Sequence, residues 1–284
     1  MRKRADYQVR GPFRLRRRPE QRITLLGATM DLVKPEEMLH FARGCVAARA
    51  KAIVANHNLH SLYLSRRNPQ MAALYERADV VEVDSLPLTL WARWIYGRSR
   101  RFHRCTYMDF RTLFWHWAQA DGWRVYYLGG KPGIVDSARQ ALHARWPGPV
   151  IGGRDGFFEW DGAQEDAVLA DIAAFQPDVL MVGMGMPRQE AWIERCYDRL
   201  PDCVILPVGA AFDYEAGVIR TPPSWTGRMG LEGLYRLLCE PRRMFARYVL
   251  EPWALVGPAL RDVATRNALR RRHAPTPYAR TALK

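Results

Sequence analysis

Strand-length apolar runs recur along this chain with helix-length amphipathic segments between them, and that alternation restricts the fold more than any other feature. ITLLGATMDLV (23–33), KAIVANHN (51–58), DVVEVD (79–84), WRVYYLGG (123–130), DVLMVGMG (178–185) and DCVILPVGAAFD (202–213) each read as a buried strand, and PGPVIGGRDGFF (147–158) holds a shorter one. PEEMLHFARGCVAARA (35–50) and LHSLYLSRRNPQMAALYERA (59–78) read as helices, a third begins near Pro132, and a fourth lies between the last two long strands. Runs that are apolar almost throughout suit strands covered on both faces. Strands alternating with helices predict an α/β domain, a mainly parallel Rossmann-like sheet flanked by helices.

The charge is uneven. Of a net +14, residues 1–22 hold nine Lys/Arg against two acids, and residues 214–284 hold thirteen against five, so the body between is nearly neutral. We therefore expect three parts: a basic flexible arm (1–22), the α/β core (23–213) and a basic helical appendage with its tail (214–284). In the last, RMGLEGLYRLLCEPRRMFARYVL (228–250) spaces Leu231, Leu234, Leu238, Phe245 and Tyr248 along one helical face, and Pro241 splits the run. Basic ends on a neutral body fit an anionic partner, lipid head groups or nucleic acid; the plainer alternative is a solvated surface. No apolar run reaches the roughly 18 residues a spanning helix needs, so a membrane would be met from its surface. Five cysteines, odd in number and without CxxC spacing, indicate neither a disulfide scaffold nor a zinc site, and a reducing cytoplasm is expected. Cys196 and Cys203 read as packing residues.

Ligands of parallel sheets sit at the carboxyl ends of strands, where loops lead into helices. LMVGMGMPRQEAWI (180–193) puts Gly183, Gly185 and Pro187 at such a corner, with Gln189 and Glu190 in the helix that follows. Glycines let a ligand approach the backbone, amides at a helix start attract phosphate, and Gln189 and Glu190 could hydrogen-bond a ribose or base. LGGKPG (128–133), with Gly129 and Gly130, is a second such corner. Neither matches GxGxxG or GxxxxGK[ST], and either could be a tight turn. Asp84 ends its strand and suits a general base for a sugar hydroxyl; equally, it could cap the helix SLPLTLWARW. Asp109 and Asp213 admit the same two readings. ANHNLHS (55–61) gathers Asn56, His57, Asn58 and His60. No carboxylate or cysteine stands at ligand spacing from the two histidines, so hydrogen bonding to a hydroxylated substrate is expected there and a metal is not. The tryptophans of WARWIY and FWHWAQADGW could stack on sugars, but FWHW lies in an amphipathic helix and reads as core.

Together these motifs resemble the WecG/TagA/CpsF glycosyltransferases. GMGMPRQEAWI is similar to their G-x-G-x-P-[KR]-Q-E-x-W signature. NxxxLxLxRRNPQM, DVVEVD before a Pro-Leu helix start, YLGGKPG, RDGFF, PVGAAFDYEAG and the closing R-x-P-x-W…GLE-x-LYRLL-x-EPRR follow in order over residues 23–250. The resemblance implies an inverting transferase that uses a UDP-sugar and no metal or other cofactor. It implies a polyprenyl-diphosphate-linked saccharide as acceptor, an anionic membrane surface as docking partner, and a peripheral place at the cytoplasmic face of the inner membrane. It makes Asp84 the catalytic base, with Asn58 and Asn56 beside it. It puts Gly129, Gly130, Gly183, Gly185, Pro187, Gln189, Glu190 and Asp213 on the donor side, and His57, Arg236, Arg242 and Arg243 near the acceptor and diphosphate.

Two departures stand out. Asn56 replaces the threonine of T-x-N, and Ser85-Leu86 follow Asp84 where the family has Gly-[Met/Ile]. Both lie at the sugar corner and argue against the family's commonest N-acetylmannosamine-type donors. They resemble the branch that adds β-1,4-glucose in exopolysaccharide synthesis. A nucleic-acid-binding protein would also explain the basic ends, but the chain has no helix-turn-helix, RNP or zinc-finger pattern.

Overall fold

The computed structural model describes residues 21–219 and 245–272. It opens with β1 (Arg22–Leu25), β2 (Ala28–Asp31), α1 (Pro35–Ala47), β3 (Ala52–His57), α2 (Leu59–Ser65), α3 (Pro69–Arg77), β4 (Val80–Val83) and α4 (Leu86–Tyr96). Then come α5 (Tyr107–Asp121), β5 (Arg124–Gly129), α6 (Ile134–Arg145), β6 (Val150–Arg154), α7 (Ala163–Phe175), β7 (Val179–Gly183), α8 (Arg188–Cys196), β8 (Val204–Pro207) and α9 (Ala211–Glu215); α10 (Val256–Arg272) closes the described chain. Six strands form one parallel sheet in the order β4-β3-β8-β7-β5-β6. The expected α/β architecture is what the chain adopts.

Each face of the sheet carries its own core. Leu62, Leu74, Ile205 and Trp192 pack on one side. Phe114, Trp115, Trp123 and Val204 pack on the other with Trp117 partly buried against them, so the Phe and Trp rings of FWHW pack in the core as expected while His116 is exposed; Cys196 and Cys203 are buried. Carboxylates tie the strand starts: Asp79 accepts from the Ile53 amide at 3.0 Å and Asp178 from the Arg124 amide at 2.8 Å.

Two expectations change. ITLLGATMDLV is an antiparallel hairpin, not one strand, because Leu26 (φ 51°) and Gly27 (φ 77°) turn the chain. The hairpin covers the sheet edge: the Asp31 carboxylate accepts from the Val81 amide of edge strand β4 at 2.9 Å. The stretch 59–78 is two helices, because Asn68 caps a new start at Pro69, accepting from the Met71 amide at 2.9 Å.

The C-terminal segment folds back on the core. Leu255 is buried, and the Asp262 carboxylate accepts from the Leu26 amide and from Trp91 Nε1, both at 2.8 Å. Glu251 meets His60 Nδ1 at 2.6 Å at the start of α2. Residues 1–20 of the expected arm, the repeat over 228–244 with Pro241, and tail residues 273–284 lie outside the described residues. Among the described residues, no helix is long and apolar enough to cross a membrane.

Candidate active site

The carboxyl ends of β3 and β4 bring together the first group of expected residues. The two strands run in parallel register, Asn56 opposite Glu82 and His57 opposite Val83. The ladder continues past the strand ends, where the Asp84 amide donates to the His57 carbonyl at 2.8 Å. Asn58 and Asp84 are therefore neighbours, and Asn58 Nδ2 stands 3.4 Å from Asp84 Oδ2. Asn58 is itself fixed as the cap of α2, its Oδ1 accepting from the Ser61 amide at 3.0 Å. Of the two readings of Asp84, capping is overturned: Ser85 caps α4, its Oγ accepting from the Leu88 amide at 3.3 Å. Asp84 is left half-buried at the carboxyl end of the sheet.

Asn56 bridges to β8, its Nδ2 donating to the Pro207 carbonyl at 3.1 Å. Its Oδ1 is buried and has no hydrogen-bond partner among the described residues. His57 lies under the corner rather than at its surface. It is 1% exposed, stacks on Tyr75 with ring centroids 3.8 Å apart, and has Nδ1 2.9 Å from Ser61 Oγ. Burial pushes its imidazole down to about 3, so it is neutral.

The glycine corners are built from packing. Gly129 and Gly183 are register partners at the ends of β5 and β7. A Cβ on Gly183 would collide with the Tyr127 hydroxyl and the Gly209 carbonyl, and one on Gly129 with the Gly183 backbone. Tyr127 explains the crowding: it stacks face to face on Phe212 at 3.9 Å and donates to the Gly209 carbonyl at 3.0 Å. The Gly130 amide donates to the Gly183 carbonyl at 3.2 Å. Gly185 differs, with a positive φ of 78° and open space where a side chain would point.

Pro187 precedes α8, and Gln189 and Glu190 lie in its first turn, each 1% exposed. Gln189 Oε1 accepts from the Gly185 and Gly209 amides, both at 3.2 Å, so it clamps the β7 and β8 loops to each other. Its Nε2 donates to Glu190 Oε1 at 2.8 Å. Glu190 Oε2 is buried without a partner among the described residues, and burial pushes the acid up to about 7. Asp213, in the first turn of α9, is held above the usual carboxylate range by burial, partly offset by a backbone hydrogen bond and then by Lys131. Asp109 caps α5 instead of joining the site, accepting from Thr106 N and pairing with Arg104 at 2.8 Å. Arg236, Arg242 and Arg243 lie outside the described residues.

Three residues enter that motif reading passed over. Tyr127 backs both glycine loops. Lys131 brings a cation to the β5 corner beside Asp213. Phe157 is 70% exposed on the loop after β6, while Phe158 is buried. That loop is tied to the β5 corner, since the Gly156 amide donates to the Gly130 carbonyl at 3.2 Å. The paired Phe-Phe after Asp-Gly was the available signal, because only one of two adjacent rings can face the core. Among the described residues, no three His, Cys, Asp or Glu side chains are grouped as metal ligands.

The site thus offers a half-buried carboxylate held by an amide, an open glycine loop, an exposed ring and a lysine at one end of a parallel sheet. The model of the family described as "Glycosyl transferase WecG/TagA/CpsF family" matches residues 23–269.

Proposed function

The chain belongs to the WecG/TagA/CpsF glycosyltransferase family, whose activity serves cell-surface polysaccharide synthesis, and from that premise we propose an inverting transfer of glucose, β-1,4, from UDP-glucose to a polyprenyl-diphosphate-linked saccharide. The observation that carries the chemistry is the Asp84–Asn58 pair, with helix capping left to Ser85. Asp84 takes the proton of the acceptor hydroxyl as that oxygen attacks the anomeric carbon. The bond to the UDP oxygen breaks on the opposite face, and UDP leaves with the electron pair. Charge on the departing diphosphate needs preorganised donors and cations. In the core the cation is Lys131, and the open space is at Gly185, whose own amide is taken by Gln189; Arg236, Arg242 and Arg243 are proposed to join Lys131, since guanidinium forks pair with phosphate oxygens at two points. Gln189 supports the donor side by holding the Gly185 and Gly209 loops rather than by reaching the ligand.

Docking is proposed at an anionic membrane surface, at the cytoplasmic face of the inner membrane. Phe245, Leu250, Trp253, Val256 and Leu260 are exposed on the C-terminal segment, and the chain around them is basic.

The test is a donor screen against a synthetic prenyl-diphosphate-glucose acceptor, read as free UDP. Release from UDP-glucose supports the assignment. Release only from UDP-N-acetylmannosamine or its uronate moves the donor to the other branch, and no release from any UDP-sugar overturns the reading. Phe157 supplies a flat face on the donor side for the nucleotide base. Phe157→Ala should raise the donor KM about tenfold, the scale of one base–aromatic stack, with kcat little changed. An unchanged KM would take Phe157 out of the site.

A further inference from the structure

Glu82 has no part in the scheme above, yet it is a carboxyl in the middle of a buried strand, 3% exposed. Side chains alternate along a strand, so Glu82 lies on the same face of β4 as Asp84, two residues before it. Its partner is a thiol. The segment after α4 joins the outer edge of β4 as a parallel bridge between Val83 and Arg104, with the Cys105 amide donating to the Val83 carbonyl at 2.9 Å. That docking delivers Cys105 Sγ to 2.8 Å from Glu82 Oε1. A thiol is a weak donor and a poor counterion, so nothing in this pair compensates a buried negative charge.

We infer that Glu82 is a positioning residue for the transfer: as a neutral acid it leaves Asp84 and the incoming diphosphates undisturbed, and on ionising it adds a charge that opposes donor binding and turnover. The inference rests on the reading of Asp84 as the base.

The surroundings support it from each packed element. On its own strand is Asp84. On the flanking segment are Cys105 and Arg104, the latter paired with Asp109 of α5 at 2.8 Å. β3 offers the uncharged Asn56 opposite, and β2 brings Asp31, engaged by the Val81 amide and Arg22. Burial is the main cause that pushes Glu82 up to about 8; Asp84 and Asp109 push the same way, and the Cys105 bond pulls it back. The acid is therefore mostly protonated at neutral pH and ionises in the mildly alkaline range. The signs for variants follow. Removing the thiol raises the titration, and a hydroxyl, the stronger donor, lowers it.

The experiment is the pH profile of kcat/KM for the donor from pH 6.5 to 9.5. The wild-type protein should lose roughly tenfold across the titration, the scale of one added charge acting over about 12 Å at an effective dielectric of about 20. Glu82→Gln should flatten that limb. Cys105→Ala should move it to higher pH and Cys105→Ser to lower pH, opposite shifts that a mere packing role does not produce. A limb unchanged in Glu82→Gln, or moved the same way by both Cys105 variants, overturns the inference. Infrared difference spectra read the acid without turnover. Two buried acids, Glu82 and Glu190, should contribute carbonyl bands; the one that vanishes at the higher pH in the wild type should be missing in Glu82→Gln and should vanish at lower pH in Asp84→Asn, which lacks the neighbouring charge. If Asp84→Asn keeps normal turnover, the base assignment fails; if that variant is inactive but its band titrates as in wild type, only the coupling fails.

Discussion

Asp84→Asn should lower turnover about 10²–10⁴-fold, the usual cost of losing a general base, while UDP binds as before. The change keeps shape and removes only charge and basicity. The local backbone has no reason to move: the residue 84 amide still donates to the His57 carbonyl, and Ser85 still caps α4. An amide oxygen can also still accept from Asn58 Nδ2. Among the described residues, no nearby carboxylate is placed to substitute. Glu82 is buried against Cys105, and Glu190 is buried against Gln189. Single-turnover rates with a lipid-linked acceptor, alongside calorimetric UDP binding, separate the two effects. Normal turnover in the variant would remove Asp84 from the chemistry. Loss of UDP binding along with turnover would instead make Asp84 part of the donor pocket.

How much of this was legible from sequence depends on which interactions set each feature. The parallel strands were legible because burial on both faces leaves a continuous apolar run, as in VLMVG of β7 and VILP of β8. The hairpin was not, because its turn rests on a left-handed Leu26, and its purpose, supplying Asp31 to the Val81 amide, lies fifty residues away. The break between α2 and α3 was legible in Asn68-Pro69, a cap followed by the preferred first helical residue, and was passed over. At the site, motif order placed Asn56, Asn58 and Asp84 at the ends of β3 and β4, where the structure has them. What it does not reveal is which polar groups are already engaged by neighbours. Gln189 looks like a donor-reaching amide in sequence, but the Gly185 and Gly209 amides, one of them from the next strand's loop, consume it. Gly183 looks like a place for phosphate, yet the Tyr127 hydroxyl fills the space above it. Such outcomes are tertiary: a polar group's availability is decided by neighbours that local pattern does not encode.

The second large effect concerns the C-terminal segment. Trp253→Ser combined with Leu260→Ser should reduce sedimentation with anionic vesicles about a hundredfold. Burying one large apolar side chain contributes roughly 1.5–3 kcal/mol, and about half of that for each, if both insert partly, is about tenfold per residue. Both side chains point outward, Trp253 at 75% exposure, while the same segment is fastened inward by buried Leu255, by Asp262 on the Leu26 amide and Trp91, and by Arg266 on the Trp94 carbonyl at 2.8 Å. The anchors are untouched by the substitutions, so folding stability should change little, and thermal melts check that. The basic surroundings add a term that salt screens. Wild-type binding should therefore weaken on neutral vesicles and at high ionic strength, and the double variant should keep that salt dependence at lower affinity. Activity should split in the same way: lost on a long-chain acceptor embedded in vesicles, retained on a short, water-soluble prenyl acceptor, because Asp84 and Asn58 stand on strand ends that the substitutions do not reach. If the double variant sediments like the wild type, these side chains do not enter the bilayer. If it loses activity on the soluble acceptor as well, the segment shapes the catalytic site directly, and the contact to examine is Glu251 with His60, two residues from Asn58 on the start of α2.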